Sequence, residues 1–308
     1  PGQLINVKGG RIIDSDTTRL TSEKLHQPFM SEVHQCLFDL VYFANPAGYC
    51  FGIPVMKFRG RLGSYLSAIN EPVVSNPLED LIVVPVPDSG RSAADGYATH
   101  YGYKKREALN KNKSLRTFIS PGQDYRLDLA SKKYLPVSYV FARLDDDGGG
   151  NELVFIDDSV VRGTTAPFII ANALIKGAEK IHFKSSSERV INSCYYGIDI
   201  ESRDELLATN KSLESILETL IDRANDLISE QYSVRATTDN VSIEYVSLSD
   251  MIRCANGFYA YDYLHKKKPE WSKDFKTQLI RELSDSLSTG LLLNQERSRG
   301  EVRKDFTQ

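Results

Sequence analysis

Leu153-Val-Phe-Ile-Asp-Asp-Ser-Val-Val-Arg-Gly-Thr-Thr165 is the stretch from which the fold is read. Its first four residues form an unbroken apolar run, as expected of a parallel strand covered on both faces. The run stops at two adjacent carboxylates, Asp157 and Asp158. A small polar loop with Ser159, Gly163, Thr164 and Thr165 follows, and then a helical pattern, Ala166-Pro-Phe-Ile-Ile-Ala-Asn-Ala-Leu-Ile-Lys-Gly177. Strand, polar loop and helix start together make a phosphate site, because free backbone N–H groups and the helix dipole both favour an anion there. Two carboxylates beside a phosphate would repel it unless they accept hydrogen bonds from sugar hydroxyls or share a divalent cation. The pattern therefore points to a sugar phosphate rather than a bare phosphate. The plainer alternative, a βα turn whose Ser and Thr merely cap the helix, leaves the tandem acids unexplained.

Outward from this stretch the chain alternates strands and helices. Leu81-Ile-Val-Val-Pro-Val86 reads as a buried strand, followed by a helix over 91–101. Val137-Ser-Tyr-Val-Phe141 reads as a strand, Asp145 to Gly150 as a solvated turn, and Lys180-Ile-His-Phe-Lys-Ser185 as a further strand. This order predicts an α/β fold with a twisted, mainly parallel sheet flanked by helices. Ligands in such sheets bind outside the carboxyl ends of the strands, where the 88–91 and 157–165 loops fall. From Arg203 the pattern turns helical (203–210, 212–229, a short turn near 249–252, and 273–291), with a polar segment at 229–240. The expected organisation is a junction over 1–30 with two short β-like runs, a core over 31–200 and a helical C-terminal extension over 201–308.

Composition excludes several classes. The formal charge of −3 over 308 residues gives no reason to expect a nucleic-acid or membrane surface. No apolar stretch is long enough to span a bilayer. Cys36, Cys50, Cys194 and Cys254 are dispersed singly, which fits a reducing cytoplasm better than a disulfide framework.

The 157–165 stretch resembles the phosphoribosyl pyrophosphate (PRPP) loop of type I phosphoribosyltransferases, and its Ser-x-Val-Arg-Gly-Thr-Thr wording is most similar to the glutamine PRPP amidotransferases, or amidophosphoribosyltransferases. Other segments resemble the same family in the same order: Cys36-Leu-Phe-Asp-Leu-Val-Tyr-Phe-Ala-Asn-Pro46, Val84-Pro-Val-Pro-Asp-Ser-Gly-Arg91 with its continuation to Ala98, Arg116-Thr-Phe-Ile-Ser-Pro-Gly-Gln123, Cys194-Tyr-Tyr-Gly-Ile-Asp199, and Glu205 to Glu214. The resemblance spans roughly residues 1 to 260.

It implies the type I phosphoribosyltransferase fold and displacement of pyrophosphate from PRPP by ammonia, giving 5-phosphoribosylamine in purine synthesis or a related pathway. Asp157 and Asp158 would bind the ribose hydroxyls and, with pyrophosphate, Mg²⁺. Ser159, Val160, Arg162, Gly163, Thr164 and Thr165 would form the 5-phosphate loop, and Asp88, Ser89, Gly90 and Arg91 the pyrophosphate loop. Arg116 and Lys133 are the basic candidates for the pyrophosphate end. Arg162 reads equally well as a solvated charge, a solvated Lys132–Lys133 pair is the alternative for Lys133, and Asp88 or Ser89 could cap a helix as well as bind.

Departures from the family pattern limit this. Some relatives place a metal-contacting serine where this chain has Gly90. The family's flexible loop, K-N-R-Y-x-G-R-T-F, is one residue shorter here and lacks its Tyr and Gly, which suggests altered closure or a different amine acceptor. Some relatives hold an iron–sulfur cluster on four cysteines; Cys36, Cys194 and Cys254 match, but Gly257 stands at the fourth place, so no cluster is expected. Pro1-Gly2-Gln3 corresponds to the junction after the family's glutaminase domain, and proline offers no thiol nucleophile. The nitrogen source would then be free ammonia, an amine, or a glutaminase domain or subunit. A non-catalytic PRPP-binding regulator is the alternative from another class. The family forms homo-oligomers, an expectation carried over here.

Overall fold

The computed structural model describes residues 4–8, 11–16, 36–69, 81–111, 134–141, 151–192, 200 and 202–255. The chain divides into two compact units, residues 1–35 and 36–308. In the first, β1 (Leu4–Lys8) and β2 (Arg11–Asp16) pair antiparallel, with the register shifting between Asn6 and Val7.

The second unit is built on a five-stranded sheet. Its elements in chain order are β3 (Tyr49–Cys50), β4 (Ile53–Pro54), α1 (Val55–Ile69), β5 (Leu81–Pro85), α2 (Arg91–Tyr101), β6 (Lys104–Lys105), β7 (Leu109–Lys111), β8 (Tyr134–Pro136), β9 (Glu152–Asp157), α3 (Thr165–Ile175), β10 (Lys180–Ser185), α4 (Leu213–Leu227), β11 (Val241–Tyr245) and α5 (Leu248–Ala255). The sheet runs β11-β10-β9-β5-β6, and every pairing in it is parallel. All six residues of β9 are buried, as its apolar run demands of a central parallel strand.

Side chains alternate across the sheet and build a core on each face. Leu81, Val83, Val154 and Ile156 pack with α1 and α2, while Val84, Leu153, Phe155, Ile181 and Phe183 pack with α3 and α4. Phe141, Phe155 and Phe183 form a stacked row, with ring centroids 6.3 and 6.2 Å apart. Chain order along the sheet reverses beside β9: from β5 the chain leaves to β6 on one side, then returns to place β9 and its successors on the other. The carboxyl ends of β5 and β9 thus flank a topological switch point, the crevice where open α/β sheets bind ligands.

Three readings of the sequence need correcting. Val137–Phe141 is not a strand: β8 ends at Pro136 and Ser138–Val140 form a 3-10 turn that drops Val140 and Phe141 into the core. The helix read over 203–210 is a single 3-10 turn, Arg203–Glu205, with a Ser202/Glu205 capping box; the chain then leaves helical geometry so that Leu206, Leu207 and Ala208 can be buried. Beyond 203 the chain is not purely helical, because β11 joins the sheet beside β10. The helix expected over 273–291 lies outside the described residues.

One polar strip crosses the first face. Lys180, His182 and Lys184 on β10 face Glu152 on β9 and Ser242 and Glu244 on β11. Lys184 is buried, ion-paired with Glu244 and 5.5 Å above the Tyr97 ring. His182 Nδ1 lies 2.9 Å from Ser242 Oγ and Nε2 3.5 Å from Glu152. Burial, then the Lys184 charge, lowers the His182 pKa below its ordinary 6.5. As pH falls through that ordinary value the unfolded chain takes up this proton before the folded one does. The stability His182 allows is full above it and declines below. His182→Gln should flatten the loss of urea midpoint between about pH 7 and 5, near the ordinary histidine range. An unchanged slope would remove His182 from the account.

Candidate active site

Two loops meet at the switch point, and Asp158 is where they touch. Asp157 ends β9, and its backbone carbonyl accepts from Ser186 N–H at 2.9 Å, tying the strand end to β10. Its side-chain Oδ1 accepts the Asp158 N–H at 2.9 Å. Asp158 Oδ2 accepts from Ser159 Oγ at 2.7 Å, and Oδ1 accepts from Ser89 Oγ. Ser159 and Ser89 lie on different loops, so the acid pair is gripped from both sides. Both carboxylates are buried, whereas Asp88 and Thr164 at the loop tips are exposed.

The first loop descends from β5. Val86 N–H donates to Ile156 O at 2.9 Å and Gly90 N–H to Val86 O at 3.1 Å, curling residues 86–90 over the end of β9. The peptide between Pro87 and Asp88 is cis. Contact is so close that a Cβ on Gly90 would lie 2.3 Å from the Ile156 carbonyl oxygen. A serine in place of Gly90 would therefore require the backbone to move. Asp88 pairs with Arg91 and with Lys111, each at 3.1 Å, and Arg91 reaches Glu107 at 3.3 Å. Exposed pairs like these orient side chains more than they stabilise the fold.

The second loop is pinned by its valines and its carbonyls. Val160 packs in the core beside α3 and α4, and Val161 against the core beside α1 and α2. Anything Val160 offers a ligand must come from its backbone. Gly163 takes φ +63°, and a Cβ there would lie 2.8 Å from Leu207 Cδ2. Thr164 stands at the N-cap of α3 without a side-chain cap bond, so the capping alternative does not describe this loop. Arg162 Nε donates to Glu205 Oε2 at 2.8 Å, giving this half-exposed arginine a structural partner.

Several further residues at the site are not among those the sequence singles out as functional. Tyr134 is buried and donates its hydroxyl to Pro87 O at 3.1 Å; burial, followed by the charges of Asp157, Asp158 and Asp88, raises its pKa. Tyr42 shows the same direction, from burial and then Asp158. Arg59 on α1 is buried and donates to the carbonyls of Leu40, Tyr42 and Ala44, fixing the Asp39–Phe43 turn. Burial lowers its pKa, and the Asp158 charge opposes that shift. Lys111 has a usable signal, since it opens Lys111-Asn-Lys-Ser-Leu-Arg-Thr-Phe118, the stretch that corresponds to the family's flexible loop. Arg116 and Lys133 lie outside the described residues, as does Cys194. Cys254 is buried, and its thiol is pushed up to about 12 by burial and then Asp250. It packs as a small apolar side chain.

Among the described residues no group of three or more His, Cys, Asp and Glu gathers as a metal site, and no helix is long and apolar enough to cross a membrane. Two carboxylates with hydroxyl neighbours nevertheless form an all-oxygen donor set, which fits a hard divalent cation that takes one or two carboxylates and draws its other ligands from phosphate and water.

A parallel sheet with an acid pair and two loops at its switch point has the type I phosphoribosyltransferase fold, and comparison with solved structures agrees. Glutamine phosphoribosylpyrophosphate amidotransferase from B. subtilis, solved in complex with ADP and GMP, matches with a TM-score of 0.55 at 30% identity, covering 73% of this chain and 43% of that one. The amidophosphoribosyltransferase of Methanocaldococcus jannaschii is 35% identical over 224 residues, 70% of this chain and 44% of the relative. That of Synechococcus elongatus is 31% identical over 260 residues, 84% and 47%. No protein-family model matches the chain. The chain is similar to the amidophosphoribosyltransferases over 70 to 84% of its own length, and it spans less than half the length of these curated relatives.

Proposed function

We propose that this chain transfers the 5-phosphoribosyl group of PRPP to ammonia, releasing pyrophosphate and forming 5-phosphoribosylamine for purine synthesis or a related pathway. The observation that carries this reading is the convergence of Ser89 and Ser159, from two loops, on the one carboxylate of Asp158. Seryl hydroxyls there occupy the acceptor positions that ribose hydroxyls would take, so Asp157 and Asp158 hold the sugar. Thr164 and the open N–H groups of the second loop receive the 5-phosphate. Ser89, Arg91 and Lys111 stand where the pyrophosphate end would lie, and Arg116 and Lys133 belong to the same proposal.

In the reaction the bond from C1 to the pyrophosphate oxygen breaks, and its electron pair leaves with pyrophosphate. The nitrogen lone pair of ammonia forms the new C1–N bond, and the extra proton on nitrogen passes to solvent. Positive charge develops at C1 between these events. The Asp157–Asp158 pair stabilises it electrostatically without reorganising, because backbone and hydroxyl hydrogen bonds already fix both carboxylates. Mg²⁺ held by Asp157 and Asp158 through the substrate would neutralise the charge of the leaving pyrophosphate. A glutaminase domain or subunit as ammonia source, a homo-oligomeric assembly and a cytoplasmic location complete the proposal. Cysteines dispersed singly along the chain support a reducing compartment.

The test is direct. The chain incubated with PRPP, Mg²⁺ and ammonium should release pyrophosphate, and omitting any one of the three should stop it. Release with another amine but not with ammonium would overturn the acceptor. PRPP binding without release under any acceptor would overturn catalysis.

A further inference from the structure

Resting on the phosphoribosyl reading above, we infer that Arg223 is a positioning residue for the 5-phosphate, acting by turning the loop's carbonyls away from the ligand. Three consecutive loop carbonyls are taken by one wall of the protein. Val161 O accepts from Leu207 N–H at 2.9 Å, and Arg162 O and Gly163 O each accept from Arg223 Nη1 at 2.9 Å. A planar trans peptide sets the N–H of the next residue antiparallel to its carbonyl. With these carbonyls facing the 202–227 segment, the N–H groups of Arg162, Gly163 and Thr164 face the opposite way. The left-handed Gly163 followed by right-handed Thr164 makes such a turn concave towards an anion. Neither the Gly163 N–H nor the Thr164 N–H is bonded to backbone among the described residues. Glu205 draws the Arg162 side chain to the same wall, leaving the other side of the loop open.

Gly163 also shows why the arrangement admits no substitute. A Cβ there would lie 3.1 Å from Arg223 Nη1 as well as 2.8 Å from Leu207, so the guanidinium occupies the space a side chain would need. Arg223 itself is exposed on α4 and is absent from the hydrophobic core, so replacing it leaves the packing in place.

The experiment separates the two ends of the substrate. Arg223→Met keeps the length of the side chain and removes its donors; Arg223→Lys keeps a charged donor. In the full chain, binding of ribose 5-phosphate reports the 5-phosphate loop, and binding of pyrophosphate with Mg²⁺ reports the 88–91 loop. Arg223→Met should weaken ribose 5-phosphate and raise KM for PRPP about tenfold, the scale of losing hydrogen bonds to a charged donor. The change in kcat should be much smaller, pyrophosphate binding should hold, and Arg223→Lys should recover most of the loss. Equal weakening of both ligands, or unchanged ribose 5-phosphate binding, overturns the role of Arg223. Failure of the unaltered chain to bind ribose 5-phosphate overturns the phosphoribosyl reading, and this inference with it.

Discussion

Asp157→Asn combined with Asp158→Asn is expected to cut pyrophosphate release by about a thousandfold or more, equivalent to roughly 4 kcal/mol of transition-state stabilisation, while the protein stays folded. The substitution changes charge and almost nothing else. An amide at 157 would still accept the neighbouring backbone N–H through its oxygen, the bond that Asp157 makes at 2.9 Å. An amide at 158 retains one acceptor for a seryl hydroxyl and offers a donor to the other. Removing two adjacent buried negative charges also removes their mutual repulsion, so the melting temperature should hold or rise. On the proposed mechanism catalysis has no such compensation, because developing positive charge at C1 and Mg²⁺ would both need the carboxylates. Near-normal turnover by a folded double variant would strike out the roles assigned to both residues. A variant that is inactive because it is unfolded would show in its circular dichroism.

How far these elements were legible in the sequence depends on whether local pattern and tertiary demand agree. β9 and β5 are continuous apolar runs because both their faces are covered, and that requirement is written locally, whereas β10 alternates Ile181 and Phe183 with Lys180, His182 and Lys184. The acid pair and its hydroxyl-rich loop were legible for the same reason, being contiguous. α1 is less legible, although Val55, Phe58, Leu62, Tyr65, Leu66 and Ile69 repeat at helical spacing. Gly60 and Gly63 inside it weaken the local helical preference, and the cause of Gly63 lies in another helix. β11 carries only a weak local signal, because Val-Ser-Ile-Glu-Tyr is a short alternating edge strand between helices. At 202–205 a true capping box gives the local signal for a helix, which the burial of Leu206 and Leu207 overrides. Arg59, Tyr134 and Arg223 reach the site only through the fold, and nothing in their neighbouring residues marks them.

Gly63→Ala tests that dependence on tertiary contact and should be among the most destabilising single substitutions in the chain. A Cβ at residue 63 would lie 1.7 Å from the Ala93 carbonyl oxygen and 2.6 Å from its carbon, both backbone atoms of α2. No side chain can swing aside, so α1 and α2 must separate. On the other side of the same contact a Cβ on Gly96 would fall 1.8 Å from Gly60 O, and Ser64 Oγ donates to Gly96 O at 3.0 Å. The loss should reach about 3 kcal/mol or more, the upper range for overpacking, read as a lower urea midpoint. Gly60→Ala is the control: its nearest neighbour would be Ser92 O at 3.6 Å, an ordinary contact. That control should be neutral or stabilising by up to ~1 kcal/mol through helix propensity. Function should follow the packing, because α2 begins at Arg91, directly after the loop that carries Ser89 to Asp158. Any folded fraction of Gly63→Ala should therefore bind pyrophosphate more weakly than Gly60→Ala does. If the two variants unfold at the same urea concentration, the helices do not meet as closely as their glycines indicate.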